Sequence, residues 1–271
     1  MNVRAIFAIV RKDLKVVSQN KSMAVPFIAV SLIFFVVIPA LSAMIPSITN
    51  GIGAEASDIL KLLDRIPDGL LQDLSGTNLS QKATVFFLVY MMLPMFLLVP
   101  LLAASTVAAD SFAGEKERKT MEALLYTPTT DRELFVAKML SAWLAAIAMA
   151  FVGFVLYSIT ANIAAWSQMH HIFFPNAIWL VLIIWVVPAA AGLAISVMVL
   201  ASSRAQGFQD AYQIGGIVVL PVVGLFYAQI AGVMYFNLIV VSLMGLGIWL
   251  LDGFLIWLSS RSFSRGRLMG A

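Results

Sequence analysis

The sequence predicts an all-α integral membrane protein of six transmembrane helices, preceded by an amphipathic helix at the membrane interface. Three observations carry that prediction. Of the 271 residues, 61% are hydrophobic and only 11% charged, and the mean hydropathy is +0.96; a soluble domain carries about 25% charged residues. Apolar runs recur six times, at 23–45, 84–109, 138–161, 177–200, 211–231 and 237–258, and about 20 apolar residues suffice to cross a bilayer as a helix. The lysines and arginines collect in alternate connections. Strands of a transmembrane barrel would alternate over about 9–11 residues. These runs are twice as long and do not alternate, so they are helices.

Residues 1–22 come first. Val3, Ile6, Phe7, Val10, Leu14 and Val17 recur at three- and four-residue spacing, with Arg4, Arg11, Lys12 and Lys15 on the other sides. That pattern predicts a basic amphipathic helix lying in the interface. A cleavable signal would place an apolar run of about 7–15 residues directly after a short basic segment. The first apolar run here starts near Met23 and is long enough to span, so no such signal is expected.

Six spans put both ends of the segment on one side, and the charges say which. Fourteen of the 17 lysines and arginines fall on one face: in residues 1–22, the loop 110–137 with Lys138, the loop at Arg204 and the tail after 258. Lys61, Arg65 and Lys82 fall on the other, all in the long loop 46–83. The positive-inside bias therefore predicts cytoplasmic termini in a cell membrane. Within 46–83, two leucine- and isoleucine-rich segments flank Pro67-Asp68-Gly69 and read as short amphipathic helices around a turn. His170-His171 stands in the second external loop without the third ligand that a metal site requires. No metal site is expected, and the absence of cysteine excludes disulfides and thiolate chemistry.

The spans are punctuated by Pro26, Pro39, Pro94, Pro100, Pro188 and Pro221, each of which frees a backbone carbonyl and predicts a kink. Small residues at 189–192 and 215–216 allow close helix approach. Asp252 is the one acid well inside a span, about six residues from the end of the sixth, or roughly 9 Å along the axis. An unpaired acid at mid-helix costs about 2.5–3.5 kcal/mol on insertion scales. Asp252 is therefore expected to face the bundle, a wet vestibule or a basic group of the N-terminal helix.

The densest charge lies at Phe112–Pro128, FAGEKERKTMEALLYTP. Glu115 with Lys119, and Arg118 with Glu122, are i,i+4 pairs on a helix, and Met121, Leu124 and Leu125 share one face. Pro128 ends the segment, because the residue before a proline resists the helical conformation. Thr130-Asp131-Arg132-Glu133 then reads as a capping box opening the next helix. A short amphipathic helix held between two spans is the prediction.

This string resembles the cytoplasmic loop of ABC-2 type transporter permeases, with the approximate pattern GE-x-E-x-x-T-x-E-x-LL-x-x-P. Gly114, Glu115, Glu117, Thr120, Glu122, Leu124, Leu125 and Pro128 match, and Lys138 stands before the third span. Met121 and Leu140 are placed slightly differently from the commonest forms. The interfacial helix with Arg-Lys-Asp-Leu at 11–14, the six spans and the loop between the second and third extend the resemblance over nearly the whole chain, closest to sodium- and drug-exporter-like permeases.

The resemblance implies a single permease domain with the type V exporter-like fold. It also implies a coupling helix in which Glu115, Glu117, Arg118, Thr120, Met121, Glu122, Leu124, Leu125 and Pro128 meet a separate ATP-binding subunit. Two such subunits and a second permease copy or sibling complete the assembly it implies. ATP and magnesium would sit on the ATPase, since GEKERKT lacks the second glycine of GxxxxGK[ST] and does not follow a buried strand. This chain is expected to bind no cofactor and to catalyse no reaction itself.

Three other function classes stay open to different degrees. An intramembrane protease of the paired-aspartate kind needs a second membrane carboxylate, and neither His-Glu-x-x-His nor Gly-x-Ser-x-Gly occurs. An ion-gradient-driven transporter generally displays repeats and midplane polar groups. A non-transporting membrane sensor or scaffold could use the same layout.

Overall fold

The computed structural model describes residues 2–19, 21–49, 79–118, 120, 129–205 and 207–262. Every regular element among them is a helix. Helix α1 (Val3–Gln19) precedes six long apolar helices: α2 (Val25–Met44), α3 (Ser80–Glu117), α4 (Asp131–Ala164), α5 (Ala177–Arg204), α6 (Phe208–Ile230) and α7 (Leu238–Leu258). The two short helices expected within 46–83 fall largely outside the described residues.

Helices α3 and α5 form the centre. Buried residues make up 83% of the most apolar window of α3 but only 17% of that of α7, so the outer helices turn wide apolar faces outward, as lipid requires. Around α3 and α5 gather large aromatic groups. The Tyr157 and Trp179 rings stack at 4.8 Å, with Phe96 and Phe174 edge-on to Trp179. The Trp179 indole N–H donates to the Val89 carbonyl at 2.9 Å and the Tyr157 hydroxyl to the Leu88 carbonyl.

Those two carbonyls belong to a π-helical stretch, Phe86–Met91, and the prolines explain why it exists. Proline at position i cannot donate to the carbonyl of i−4, which for Pro39, Pro94 and Pro188 is that of Phe35, Tyr90 and Ile184. Each of these lies inside a π-helical stretch, Ile33–Val37, Phe86–Met91 and Leu182–Val186 respectively. At these three prolines the expected distortion takes the form of a widened turn, and in Phe86–Met91 neighbouring side chains bond two carbonyls of the same stretch.

Helix α1 packs on the start of α4 through Ile6, Ile9 and Val10 against Leu134 and Ala137. Its buried stripe is Ile6, Ile9, Val10 and Asp13, while Val3 and Phe7 are 74% and 68% exposed. The apolar residues thus serve two faces, one toward the bundle and one free to enter the interface. The capping box forms as the sequence predicts: the Glu133 N–H donates to Thr130 Oγ1, and the Thr130 N–H to Glu133 Oε2. Glu133 Oε1 also accepts from the Asn2 N–H, tying the lead into α1 to the same cap.

At the other end of the bundle, Asn162 Oδ1 accepts from the N–H groups of Phe173 and Phe174, and its amide donates to the Phe174 carbonyl. His170 and His171 are exposed beside it. Arg132 and Ile172 are exposed at opposite ends of α4 and its following loop. In this cysteine-free chain, Arg132→Cys and Ile172→Cys should react with an impermeant maleimide from opposite sides of the membrane; labelling of both from one side would contradict the six-span arrangement.

Candidate functional site

The charged island begins inside the fold. Helix α3 does not stop at the apolar run but continues through a fourth π-helical stretch, Asp110–Gly114, and one more turn to Glu117. This stretch has no proline four residues beyond it. It sets Asp110, Ser111, Phe112 and Glu115 into the bundle, all buried.

Lys138 is the group they surround. Its side chain is 0% exposed, on the buried face of α4. The ammonium donates to Glu115 Oε2 at 2.5 Å and to the Ser111 carbonyl at 2.7 Å, and lies 5.8 Å from the centre of the Phe112 ring. An ammonium has three donors and no acceptor, so a carboxylate, a carbonyl and a ring face account for its surroundings. Glu115 Oε1 in turn accepts from Lys12 of α1 at 2.9 Å. Lys12 also approaches Asp13 at 3.1 Å, and Ser141 of α4 donates to Asp13 at 3.2 Å. Three elements, α1, α3 and α4, thus meet in one polar chain running Asp13, Lys12, Glu115, Lys138 and Ser111.

Burial by itself would lower the Lys12 ammonium, but the hydrogen bond and charge of Glu115, with those of Asp13, hold it above its usual 10.5. A raised lysine contributes stability throughout the range below its unfolded pKa and loses it only as pH climbs through the folded one. Lys12 therefore keeps its charge through the neutral range.

Three further island residues, Glu117, Arg118 and Thr120, are engaged as well. Arg118 Nη1 donates to Asp110 Oδ1 at 2.9 Å across two turns of α3. Gly114 lies under that bridge, where a Cβ would stand 2.8 Å from Asp110 Oδ1. Glu117 Oε2 accepts from the Phe208 N–H at 2.9 Å, capping the start of α6 where Gly207 carries no side-chain cap. A Cβ on Gly207 would come within 2.6 Å of that oxygen. The Thr120 hydroxyl donates to the Glu115 carbonyl at 3.3 Å.

Of the residues predicted to meet a partner, Glu115, Glu117, Arg118 and Thr120 are therefore bonded within the chain, to α1, α4, α6 and α3. Glu115 and Arg118 bond partners that the i,i+4 rule does not point to, and the partners it expects for them, Lys119 and Glu122, lie outside the described residues. Met121, Glu122, Leu124, Leu125 and Pro128 lie outside the described residues. Asp252 is not at this junction; it lines a separate cleft between α4, α5 and α7. The sequence reading counted Lys138 and Lys12 with the cytoplasmic cations, quoted Asp13 only within Arg-Lys-Asp-Leu without a role, and passed over Asp110. The adjacent Lys12-Asp13, on a helix otherwise apolar toward α4, was the available signal.

Between α2, α3 and α6 a cavity of about 420 Å³ opens beside the junction. Phe27, Val99, Thr106 and Tyr212 line it, and the Asp110–Arg118 bridge forms its polar wall.

Six apolar spans around a polar junction, with an amphipathic helix clamped to it, define a multi-pass membrane domain. The chain belongs to the ABC-2 family transporter proteins, whose family profile matches residues 7–266. It is thus a membrane component of ABC transport rather than the catalytic one. No curated protein and no solved structure matches the chain significantly.

Breaking a buried ion pair from one side leaves an uncompensated charge and costs about 3–5 kcal/mol. Lys138→Met should accordingly lower the thermal unfolding temperature in detergent markedly. The double variant Glu115→Leu/Lys138→Met should recover most of the loss, since well-packed apolar pairs often replace buried ion pairs without penalty. A single variant as stable as the parent would place the pair in water.

Proposed function

We propose that this chain is the translocation subunit of an ATP-binding cassette exporter, coupling hydrolysis on a separate ATPase to outward movement of cargo. The observation that carries the proposal is the junction: the first turns of the island are wired by Glu115, Glu117 and Arg118 to α1, α4, α6 and α3. A force applied to residues 115–128 would reach three elements besides α3 through short bonds, of which the one to Lys138 is fully buried.

In this reading the segment from Glu115 to Leu125, closed by Pro128, is the coupling helix. Met121, Leu124 and Leu125 supply apolar contact to a groove on the ATPase, and Glu122 sets register against basic groups. Glu115, Glu117, Arg118 and Thr120 hold the root of that helix in the permease. Two ATPase subunits, carrying ATP and magnesium, act on two permease subunits, which are two copies or a copy and a sibling. The termini and the island face the cytoplasm of a cell membrane, as the lysine and arginine bias supports. The cavity between α2, α3 and α6 serves as an inward-facing vestibule, which ATPase closure remodels through α3 and α6.

The full chain, purified gently from its native membrane, should carry vanadate-sensitive ATP hydrolysis that the isolated polypeptide lacks. Serine at Leu124 and Leu125 together should lower the amount of associated ATPase by at least about tenfold, the scale of losing interface hot spots. The variant should elute and melt as the parent does. Unchanged association would show that 121–125 is not the docking segment, and native membranes yielding no ATPase would remove the exporter reading altogether. Glu117→Lys is a poorer probe, because it also removes the cap of α6.

A further inference from the structure

A second cleft, of about 330 Å³, lies between α4, α5 and α7. Phe135, Met139 and Trp143 of α4 line it with Gly192 of α5 and Trp249 of α7. Its one charged lining residue is Asp252, 1% exposed. Neither carboxylate oxygen has a hydrogen-bond partner among the described residues. Helix α5 makes room for the group at Gly192, where a Cβ would stand 2.4 Å from Oδ2. The acid sits six residues, or about 9 Å, inside the end of the apolar span Leu238–Leu258.

An ionisable group at that depth normally faces a partner or a cavity. The described residues supply no partner for Asp252, and the cleft is the cavity. We propose that the cleft binds a membrane-dissolved organic cation, an ammonium or phosphonium with apolar substituents, for which Asp252 is the counter-charge. Its standing as cargo rests on the permease reading; its binding does not.

The lining decides the class of cation. A hard inorganic ion needs about six or more oxygen ligands, whereas here the only oxygen-bearing side chain in the lining is Asp252 itself. The rest of the wall is apolar and aromatic. The Trp143 indole N–H already donates to the Pro188 carbonyl at 2.9 Å, and that of Trp249 to the Trp185 carbonyl at 3.2 Å. With those polar edges satisfied, ring surface is what the two indoles have left to offer, and ring faces attract cations. The carboxyl is seated against Gly192 at the back of the cleft, which suits a diffuse charge that needs no oxygen in direct contact. At the rim, Val136 and Ile256 are more than a third exposed, so access is lateral, from the lipid phase.

Radiolabelled tetraphenylphosphonium and the full chain in lipid nanodiscs, without ATPase or nucleotide, provide the test. Saturable binding is expected, displaced by dodecyltrimethylammonium and not by uncharged dodecyl maltoside. Asp252→Asn keeps the shape and should raise the dissociation constant at least about tenfold, the scale of removing one member of a desolvated charge pair. Gly192→Ala, which displaces the carboxyl, should weaken binding in the same direction and decides the matter if the asparagine variant fails to fold. Absence of saturable binding in the parent, or equal binding by folded Asp252→Asn, overturns the proposal. Lost cation binding with associated ATP hydrolysis intact would remove this site and leave the exporter reading standing; binding without any associated ATPase would do the reverse.

Discussion

A lysine ammonium with no exposed surface, on a helix that enters a bilayer, must be answered by acceptors or not be there at all. Lys138 is that constraint, and much of the geometry at this end of the bundle follows from it. The Ser111 carbonyl is available because α3 widens at Asp110–Gly114. Glu115 can reach it because the helix persists beyond the apolar run. The second oxygen of Glu115 then holds Lys12, and with it α1, against α4. Replacing such pairs by apolar residues is often harmless to stability, so their value here lies in fixing which elements meet and in what register. The interfacial helix could otherwise lie anywhere in the headgroup layer.

The π-helical stretches divide by cause. Three lie where a proline removes a donor, and in the one at Phe86–Met91 the Val89 and Leu88 carbonyls are taken by Trp179 and Tyr157, so the widened turn becomes part of an aromatic core. The stretch at Asp110–Gly114 instead serves a polar cluster. Widened turns of this second kind recur at functional sites, because they depend on side-chain partners that a conformational change can exchange.

What could be read from the sequence was whatever is local or periodic. The six spans follow from run length, and the Thr130–Glu133 box from a four-residue pattern that the structure reproduces. The partners of Glu115 were not legible, because an i,i+4 rule sees only one helix surface, while Lys138 and Lys12 arrive from 23 and 103 residues away. The partner of Arg118, Asp110, lies two turns back on the same helix, beyond the reach of that rule. Helix α1 shows the same limit. Its hydrophobic spacing identified Ile6 and Val10 but also Val3 and Phe7, which are exposed, and missed Asp13, because an acid in a buried stripe contradicts the pattern that finds the stripe. Asp252 was visible as an anomaly; only the packing of α5 reveals that its neighbour is a glycine and that no base among the described residues answers it.

The junction and the organic-cation cleft are joined by a single helix. On α4, Leu134, Ala137, Lys138 and Ser141 recur at the three- and four-residue spacing of one helical face, the face toward α1 and α3. Phe135, Met139 and Trp143 recur at four-residue spacing on an adjacent face and line the cleft with α5 and α7. The helix runs unbroken for 34 residues, and side chains one position apart on it stand about 100° around the axis. A rotation or shift of α4 imposed at Lys138 therefore moves Phe135 and Met139 relative to Asp252 in the same step. Tight core packing resists continuous deformation, so such a displacement has to resolve into discrete arrangements of the cleft wall. The two sites thus share one helix, whose one face carries the ion pair and whose adjacent face forms a wall of the cleft.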